Sequence, residues 1–357
     1  MGEVERYYSE NPEEDIWINL KHYSFVENIN KYFNERNIES NEELTETISG
    51  SILQAFEYFQ ASRSSTIQTT PLLLYYGATN LLYGAACLIE GEVLKVNGHG
   101  MKLINQDNLD KRILSNKIKL VDPNYGGLGV YLKSFSGTDL ASGTEWTIME
   151  LLGSIPEISH EFINLLSDDA SFIVPLEKVI SDAETTIRVN LKKMKREQLD
   201  KKLENIPDFK SNYHVYEVTQ KKEAIFRTKL NGDDLYDQSY LNQYYFPIAH
   251  NKRGKLISYD SFIFEFIALY SLATICRYHP NVWTPFVRTD NSGEINFIEK
   301  FLISIRRYFP NYVLDKIQNT KHFYSNEFYS PRDKKRNLSE SDIEKRIEKI
   351  LRRMGID

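Results

Sequence analysis

Two apolar stretches decide the fold: residues 71–90 read PLLLYYGATNLLYGAACLIE, and residues 258–278 read SYDSFIFEFIALYSLATICRY. Pro71 is suited to the first turn of a helix, and Pro280 marks the end of the second helix, because proline disfavours a helical conformation at the residue before it. Both stretches are apolar nearly all round, which is typical of helices buried at the centre of a fold. We therefore expect two central helices that pack side by side and bring their few polar groups into a common recess.

The rest of the chain adds helices and two β-containing insertions. Apolar residues recur every three or four positions at 12–35 and at 42–62, which predicts amphipathic helices. Further helices are expected at 146–162 with an interruption at Ile155-Pro156, at 192–204, and at 294–308 and 310–319, which Phe309-Pro310 divides. Short alternating runs and turn residues predict a β-hairpin or structured loop at about 115–136 and further strands within about 171–230. The predicted fold class is mainly α: a helical core with small β insertions (α+β).

The chain shows no internal repeat and no low-complexity linker, so residues 1–330 are predicted to form a single domain. Residues 331–357 form a basic tail: from Ser330 onward, nine Lys or Arg stand against six Asp or Glu, a local charge of +3. Within the tail, Ser339–Met354 begins with a Ser-x-x-Asp capping pattern and is predicted to be helical. Such a tail is suited to phosphate contacts, or to a solvated amphipathic helix or dimer contact.

The composition excludes several classes of protein. The 44 Lys and Arg against 50 Asp and Glu leave a formal net charge of −6, so contact with nucleic acid must come from a local patch. Cys87 and Cys276 both lie in apolar runs, which excludes a disulfide scaffold and a cysteine-rich zinc site. The N-terminal residues lack the apolar core of a signal peptide, and the apolar stretch 71–89 is interrupted by Tyr76 and Asn80. We expect a soluble cytoplasmic protein with no membrane partner.

The standard catalytic motifs are missing from the sequence. It has no G-x-x-x-x-G-K-[ST] phosphate loop, no H-E-x-x-H, no G-x-S-x-G and no protein-kinase signature. Gly126-Gly127-x-Gly129 follows no βαβ pattern, and we interpret it as a tight turn. A metal-dependent nuclease centred on Asp122 is the least favoured hypothesis, because the expected second carboxylate is missing there. Because the seven histidines are scattered, we predict no metal site and no cofactor.

The first candidate site lies on the helix that begins at Pro71. Tyr76, Asn80 and Tyr83 are spaced i, i+4 and i+7, so they share one face of an otherwise apolar helix. A buried asparagine amide costs free energy unless it has a hydrogen-bond partner. Asn80 therefore either holds two helices in register, with Gly77 and Gly84 allowing close packing, or lines a polar pocket with Tyr76 as a ligand-binding residue.

The second candidate site is the end of the other central helix, where Arg277, Tyr278 and His279 occur together. A cation at this position complements the partial negative charge of a helix C-terminus, so these residues can be a structural cap. In the functional interpretation, Arg277 is a clamp for phosphate or carboxylate and Tyr278 contributes to ligand binding. His279 is then a general acid or base, because it exchanges a proton near neutral pH.

The order and spacing of four segments resemble the YaaC-like proteins, a bacterial family of helical proteins without an established activity. The segments are PLLLYYGATNLLYGA (71–85), the Gly98-His99-Gly100 step, WTIMELLGSIPEIS (146–159) and ICRYHPNVW (275–283), and the resemblance covers roughly residues 15–320. By a looser similarity, the family resembles the HEPN superfamily of helical domains that bind nucleotides and RNA. The resemblance implies a HEPN-like helical bundle and RNA or a nucleotide as the partner, with a homodimer or a protein partner as further possibilities.

Some HEPN proteins are metal-independent ribonucleases that use an Arg-x4–6-His motif. This sequence lacks the motif, because Arg277 and His279 are only two positions apart. We therefore expect a non-enzymatic nucleotide- or RNA-interacting or regulatory module, with a role in stress or phage defence. The alternative is a HEPN-like ribonuclease effector in which Arg277 and His279 act together at the end of a helix or across a dimer interface.

Overall fold

The computed structural model describes residues 3–122, 126–137, 140–166, 171–180, 185–191, 194–218, 222–228, 235–252 and 254–325. The predicted basic tail at 331–357, with its helix at 339–354, lies outside the described residues. Within the described residues, twelve α-helices follow in chain order: α1 Pro12–His22, α2 Val26–Glu35, α3 Glu42–Ser64, α4 Thr70–Glu90, α5 Gly127–Phe135, α6 Ile148–Leu152, α7 Ser159–Leu165, α8 Arg196–Glu204, α9 Phe209–Asn212, α10 Ser261–Tyr278, α11 Pro280–Thr289 and α12 Glu294–Gln318.

Short strands and 3-10 turns lie between these helices. The strands of the described residues are β1 Glu3–Tyr8, β2 Met101–Leu103, β3 Lys117–Leu120, β4 Glu145–Thr147, β5 Ile173–Ile180, β6 Thr185–Asn190, β7 Tyr213–Val218, β8 Glu223–Thr228, β9 Asp237–Gln238, β10 Tyr244–Pro247, β11 His250–Lys252, β12 Lys255–Ile257 and β13 Thr320–Ser325. The 3-10 turns are Gln106–Asn108, Ile113–Ser115 and Pro156–Ile158. This arrangement confirms the predicted class, a mainly α fold with small β-sheets.

The helical core is built around α4 and α10, as the sequence predicts. α4 packs along α3, α10 and α12, and the side chains of α10 are buried from Phe262 through Ile275. Gly77 and Gly84 allow α4 to approach α3 closely: a Cβ at Gly77 would lie 2.7 Å from the Phe59 ring, and a Cβ at Gly84 would lie 2.9 Å from Ser51 Cβ. Both helices are also long and apolar enough to span a membrane, but most of each is buried inside the protein, as in the core helix of a soluble protein.

The strands form four separate sheets. The largest has the order β7-β8-β6-β5-β10-β9 with antiparallel neighbours, and it packs with α8 and α9 around a second, smaller apolar core. Its strands include those expected within 171–230. The strands β2, β3 and β4 form an antiparallel sheet, and β11 pairs with β12. β1 and β13 pair in parallel, with Glu3 beside Thr320 and Tyr8 beside Ser325.

The segment 115–136 corrects one prediction, because only its first part is a strand. Residues 127–135 form helix α5, in which Leu128, Tyr131, Leu132 and Phe135 are buried at helical spacing. The glycines that indicated a turn have a packing role. A Cβ at Gly126 would lie 2.1 Å from the main-chain nitrogen of Gly100, so only glycine fits at the start of this helix.

Two helix boundaries also differ from the prediction. The expected helix at 12–35 is two helices, because the chain turns at 23–25, where Ser24 Oγ donates to Lys21 O at 2.8 Å. Both halves bury their apolar faces against the same core, so the apolar periodicity does not reveal the break. Conversely, α12 continues through Pro310. The proline removes one helical hydrogen bond, a cost of about 3 kcal/mol, but the residues on both sides of it are buried and offset that cost.

Candidate functional site

The two predicted site segments meet because Gln68 joins the turn before α4 to the end of α10. The carbonyl oxygen of Gln68 accepts hydrogen bonds from Trp283 Nε1 at 3.2 Å and from Cys276 Sγ at 3.1 Å. Its side-chain Nε2 donates to Thr284 Oγ1 at 2.8 Å. These bonds place the first turns of α4 beside the last turns of α10, and so place Tyr76 beside Arg277.

A half-open cavity of about 360 Å³ lies at this junction, and we call it the helix-end cavity. It brings together four of the five predicted site residues, but Asn80 does not line it. The amide Nδ2 of Asn80 donates to Tyr76 O at 2.9 Å within its own helix. The lining residues are Leu72, Tyr75, Tyr76, His99, Gln106, Tyr270, Ala273, Thr274, Arg277, Tyr278 and His279.

The mouth of the helix-end cavity is cationic and aromatic. Arg277 donates a hydrogen bond to the hydroxyl of Tyr76, and its guanidinium carbon lies 5.6 Å from the centre of the Tyr76 ring. The same carbon lies 4.9 Å from the ring centre of Tyr278, whose side chain is 61% exposed. Both contacts are within the range of a cation–π interaction. A charged guanidinium and an exposed aromatic face are therefore presented side by side.

The floor of the cavity contains His99, which the sequence analysis did not identify as a site residue. His99 Nδ1 and the hydroxyl of Tyr75 are hydrogen-bonded at 2.7 Å, and the His99 ring centre lies 5.1 Å from that of Tyr270. Burial lowers the pKa of His99, so its imidazole is neutral at pH 7 and can accept a proton. The available signal was the Gly98-His99-Gly100 step, whose glycines both have positive φ.

The loop that carries His99 is held against the start of α5. Gly127 N donates to Gly98 O at 3.0 Å, and Gly126 packs directly on the main chain of Gly100. On the other side, the hydroxyl of Tyr270 donates to Met101 O at 3.0 Å. Gly126 and Gly127 thus support this loop, and His99 is held between α5 and α10.

Two of the remaining histidines have different surroundings. His279 ends α10, its main-chain N–H donates to Ile275 O at 3.0 Å, and its half-buried side chain lines the helix-end cavity. His250 lies elsewhere, with its ring stacked between Phe172 and Phe264 at centroid distances of 3.9 and 4.8 Å. Burial lowers the pKa of His250 to about 3, which makes it a neutral core residue.

The helix-end cavity is suited to an anion. None of its lining residues is acidic, and Arg277 supplies a positive charge at its mouth. Among the residues that the structure describes, no group of three or more His, Cys, Asp or Glu side chains is arranged to hold a metal ion. What the cavity can do chemically therefore depends on a cation, two histidines and several tyrosines.

Comparison with known proteins places the chain in a family. No curated protein and no solved structure matches it significantly. The family model of the YaaC-like proteins matches residues 19–317, which is most of the chain and includes every residue that lines the helix-end cavity. The match confirms the resemblance found in the sequence: the chain belongs to the YaaC-like protein family.

Proposed function

We propose that this protein is a non-enzymatic nucleotide- or RNA-interacting module that binds its ligand in the helix-end cavity. The observation that carries the proposal is the position of Arg277 between Tyr76 and Tyr278, at the mouth of a cavity without acidic lining residues. Because the net charge of the chain is −6, a local cationic site of this kind is needed for contact with a phosphate.

The chemistry of the mouth matches the two parts of a nucleotide. A guanidinium can form two parallel hydrogen bonds with a phosphate. An exposed tyrosine face can stack on a base, a contact worth about 1–3 kcal/mol per base. The cavity volume of about 360 Å³ is near the lower end of small-molecule sites, which span about 300–1,000 Å³. This size suits a single nucleotide or one nucleotide unit of a single-stranded RNA.

The test is a binding titration with mononucleotides and with a short single-stranded RNA. We expect Arg277→Ala and Tyr278→Ala each to weaken binding about tenfold or more, since about 1.4 kcal/mol corresponds to a factor of ten. Arg288→Ala is the matched control, because Arg288 is an exposed arginine on α11 that does not line the cavity. The proposal is wrong if the unaltered protein binds none of these ligands, or if Arg277→Ala and Arg288→Ala have equal effects.

A second candidate function is a metal-independent ribonuclease, which the presence of both His279 and His99 in the same cavity as Arg277 favours. Such cleavage needs a base near the 2′-hydroxyl and a cation at the phosphate, and these residue types supply both. In the presence of EDTA, we then expect RNA fragments with 2′,3′-cyclic phosphate ends. His279→Ala and His99→Ala should abolish cleavage but retain RNA binding. If the unaltered protein leaves RNA intact, this second function is rejected.

The expectations of a cytoplasmic location, of a homodimer or protein partner, and of a role in stress or phage defence stay predictions from the sequence. RNA or a nucleotide is the partner that the chemistry of the helix-end cavity supports. Neither proposed function calls for a metal or a cofactor.

A further inference from the structure

A second cavity, of about 460 Å³, lies at the opposite end of α10. We call it the acidic cavity, after the four carboxyl groups among its lining residues: Glu157, Asp237, Asp260 and Asp315. Five tyrosine side chains also line it, and two lysines, Lys316 and Lys321, supply the positive charge. With all four carboxylates ionised, the lining carries two more negative than positive charges. The acidic cavity shares no lining residue with the helix-end cavity.

Two side chains of the acidic cavity are deeply buried and contain a polar atom without a partner. Glu157 is 4% exposed; its Oε1 accepts from the main-chain N–H of Tyr240 at 3.1 Å, but its Oε2 has no hydrogen-bond partner among the residues that the structure describes. Tyr312 is also 4% exposed, and its hydroxyl has no partner either. A buried polar group left in this state destabilises the fold, because it has lost its hydrogen bonds to water. Both side chains belong to the lining of the cavity, so each has an unsatisfied polar atom close to it.

Two lysine side chains of the protein show that the carboxylates and tyrosine rings of the lining can bind ammonium groups. Lys321 Nζ lies 2.9 Å from Asp237 Oδ1, and Lys316 Nζ lies 5.0 Å from the ring centre of Tyr312. By contrast, no lysine or arginine among the described residues forms an ion pair with Glu157 or Asp260. One carboxylate oxygen of Asp260 accepts from Phe262 N at 2.9 Å and caps α10. The acidic cavity therefore has room for additional positive charge.

The arrangement of the carboxyl groups favours an organic ammonium ion over a metal ion. Within the described part of the chain, no three acidic or histidine side chains converge as ligands for one metal ion. Carboxylates that do not converge on one point, in a lining that also contains five tyrosines, are instead suited to several ammonium groups joined by an apolar chain. Each ammonium group can pair with a carboxylate or lie over a ring, and the methylene groups can pack on the tyrosine faces.

We propose that the acidic cavity binds an aliphatic diamine or polyamine, with one ammonium group paired with Glu157 and a second with Asp260. The tyrosine rings contact the methylene groups between them. This site is independent of the helix-end cavity, and the proposed nucleotide binding does not depend on it.

The protonation of Glu157 gives the proposal a measurable signature. Burial raises the pKa of Glu157 to about 7, so the carboxyl group is partly protonated at neutral pH. An ammonium ligand favours the ionised form, so binding releases a proton and tightens by about tenfold between pH 6 and pH 8. The other ionisable groups that act on Glu157 are Asp237, Glu265, Tyr245, Lys321 and Arg307.

The experiment is calorimetric titration of the full chain with putrescine and with spermidine, at pH 6 and at pH 8. Butane-1,4-diol, the neutral analogue of putrescine, and Mg²⁺ are the ligand controls. We expect saturable binding of the amines alone. At pH 8, Glu157→Gln should weaken binding about tenfold or more, and it should remove the pH dependence. Tyr312→Phe should weaken binding severalfold. Glu299→Gln, which removes the same charge from an exposed position on α12, should leave it unchanged.

Three results would overturn the proposal: no saturable binding of either amine, equal binding of the diol, or equal effects of Glu157→Gln and Glu299→Gln. The Glu157→Gln variant should fold, because glutamine retains the oxygen that accepts from Tyr240 N. Tyr312→Phe removes only a hydroxyl group that has no partner. A circular dichroism spectrum that matches the unaltered protein verifies that each variant is folded.

Discussion

The two ends of α10 carry opposite charge. At its N-terminus, Asp260 caps the helix and lines the acidic cavity, while at its C-terminus Arg277 lies at the mouth of the helix-end cavity. Both placements complement the helix dipole, which favours anions at the first turn and cations at the last. One apolar helix thus separates an acidic cavity from a basic one.

The two cavities differ most in the burial of their polar groups. Arg277 and Tyr278 are exposed, so they are already hydrated and lose little when the protein folds. Glu157 and Asp315 are buried, and burial raises the pKa of both carboxyl groups, although hydrogen bonds from His322 and Tyr240 oppose the shift at Asp315. Because of this difference, we expect substitutions in the helix-end cavity to change only ligand binding. Substitutions in the acidic cavity should also change the free energy of unfolding.

The largest expected effect is that of Asp315→Ala. The Asp315 carboxylate accepts from His322 Nδ1 at 2.7 Å, from the hydroxyl of Tyr240 at 2.9 Å and from Asn311 Nδ2 at 3.2 Å. Removing it leaves these buried donors without an acceptor, so we expect a loss of about 3–5 kcal/mol in the free energy of unfolding. Urea denaturation measures it. Asp107→Ala, at an exposed aspartate, is the control, and equal losses in the two variants would contradict the comparison.

An intermediate, pH-dependent effect is expected for Glu157→Gln. The pKa of Glu157 rises on folding from 4.5 to about 7, so folding favours its protonated form. The stability that this provides is complete below pH 4.5 and is lost as the pH rises through 7. Glutamine stays neutral, so the variant should gain on the order of 3 kcal/mol over the unaltered protein between pH 4 and pH 8.

Urea denaturation at several pH values measures this effect, and Glu299→Gln is again the control. Parallel stability curves for the unaltered protein and Glu157→Gln would show that Glu157 ionises normally in the fold. Burial of Glu157 would then have no effect on its ionisation, and the two cavities would not differ in this respect.

The smallest expected effect on stability is that of Arg277→Ala. Its guanidinium is exposed, and at the cavity mouth it contacts the hydroxyl of Tyr76 and the rings of Tyr76 and Tyr278. Because such exposed contacts contribute little to stability, the free energy of unfolding should change by about 0.5 kcal/mol or less. Thermal unfolding of this variant beside Arg288→Ala provides the measurement. A loss of 2 kcal/mol or more would identify Arg277 as a structural cap of α10, the alternative that the sequence analysis left open.

Part of the candidate site could be predicted because it depends on local chemistry. Arg277, Tyr278 and His279 follow one another at a helix end, and Tyr76 lies within the first two turns of α4. Asn80 shows the limit of this reasoning: its spacing puts it on the same helical face as Tyr76, but its amide donates to the carbonyl oxygen of Tyr76 in its own helix instead of to a partner across a cavity. His99 was missed as a site residue because it lies in a loop without periodicity.

The two central helices and the mainly α class can be predicted from the sequence. Long apolar segments bounded by proline and capping residues bury their side chains most readily as helices in the core. The sequence also determined the family, through segments whose order and spacing match. Three features follow from the folded arrangement alone: Gln68 joins two helix ends, His99 lines the helix-end cavity, and Glu157 and Asp260 line the acidic cavity. Those contacts join residues far apart in the chain, and their geometry depends on packing that no local pattern of residues encodes.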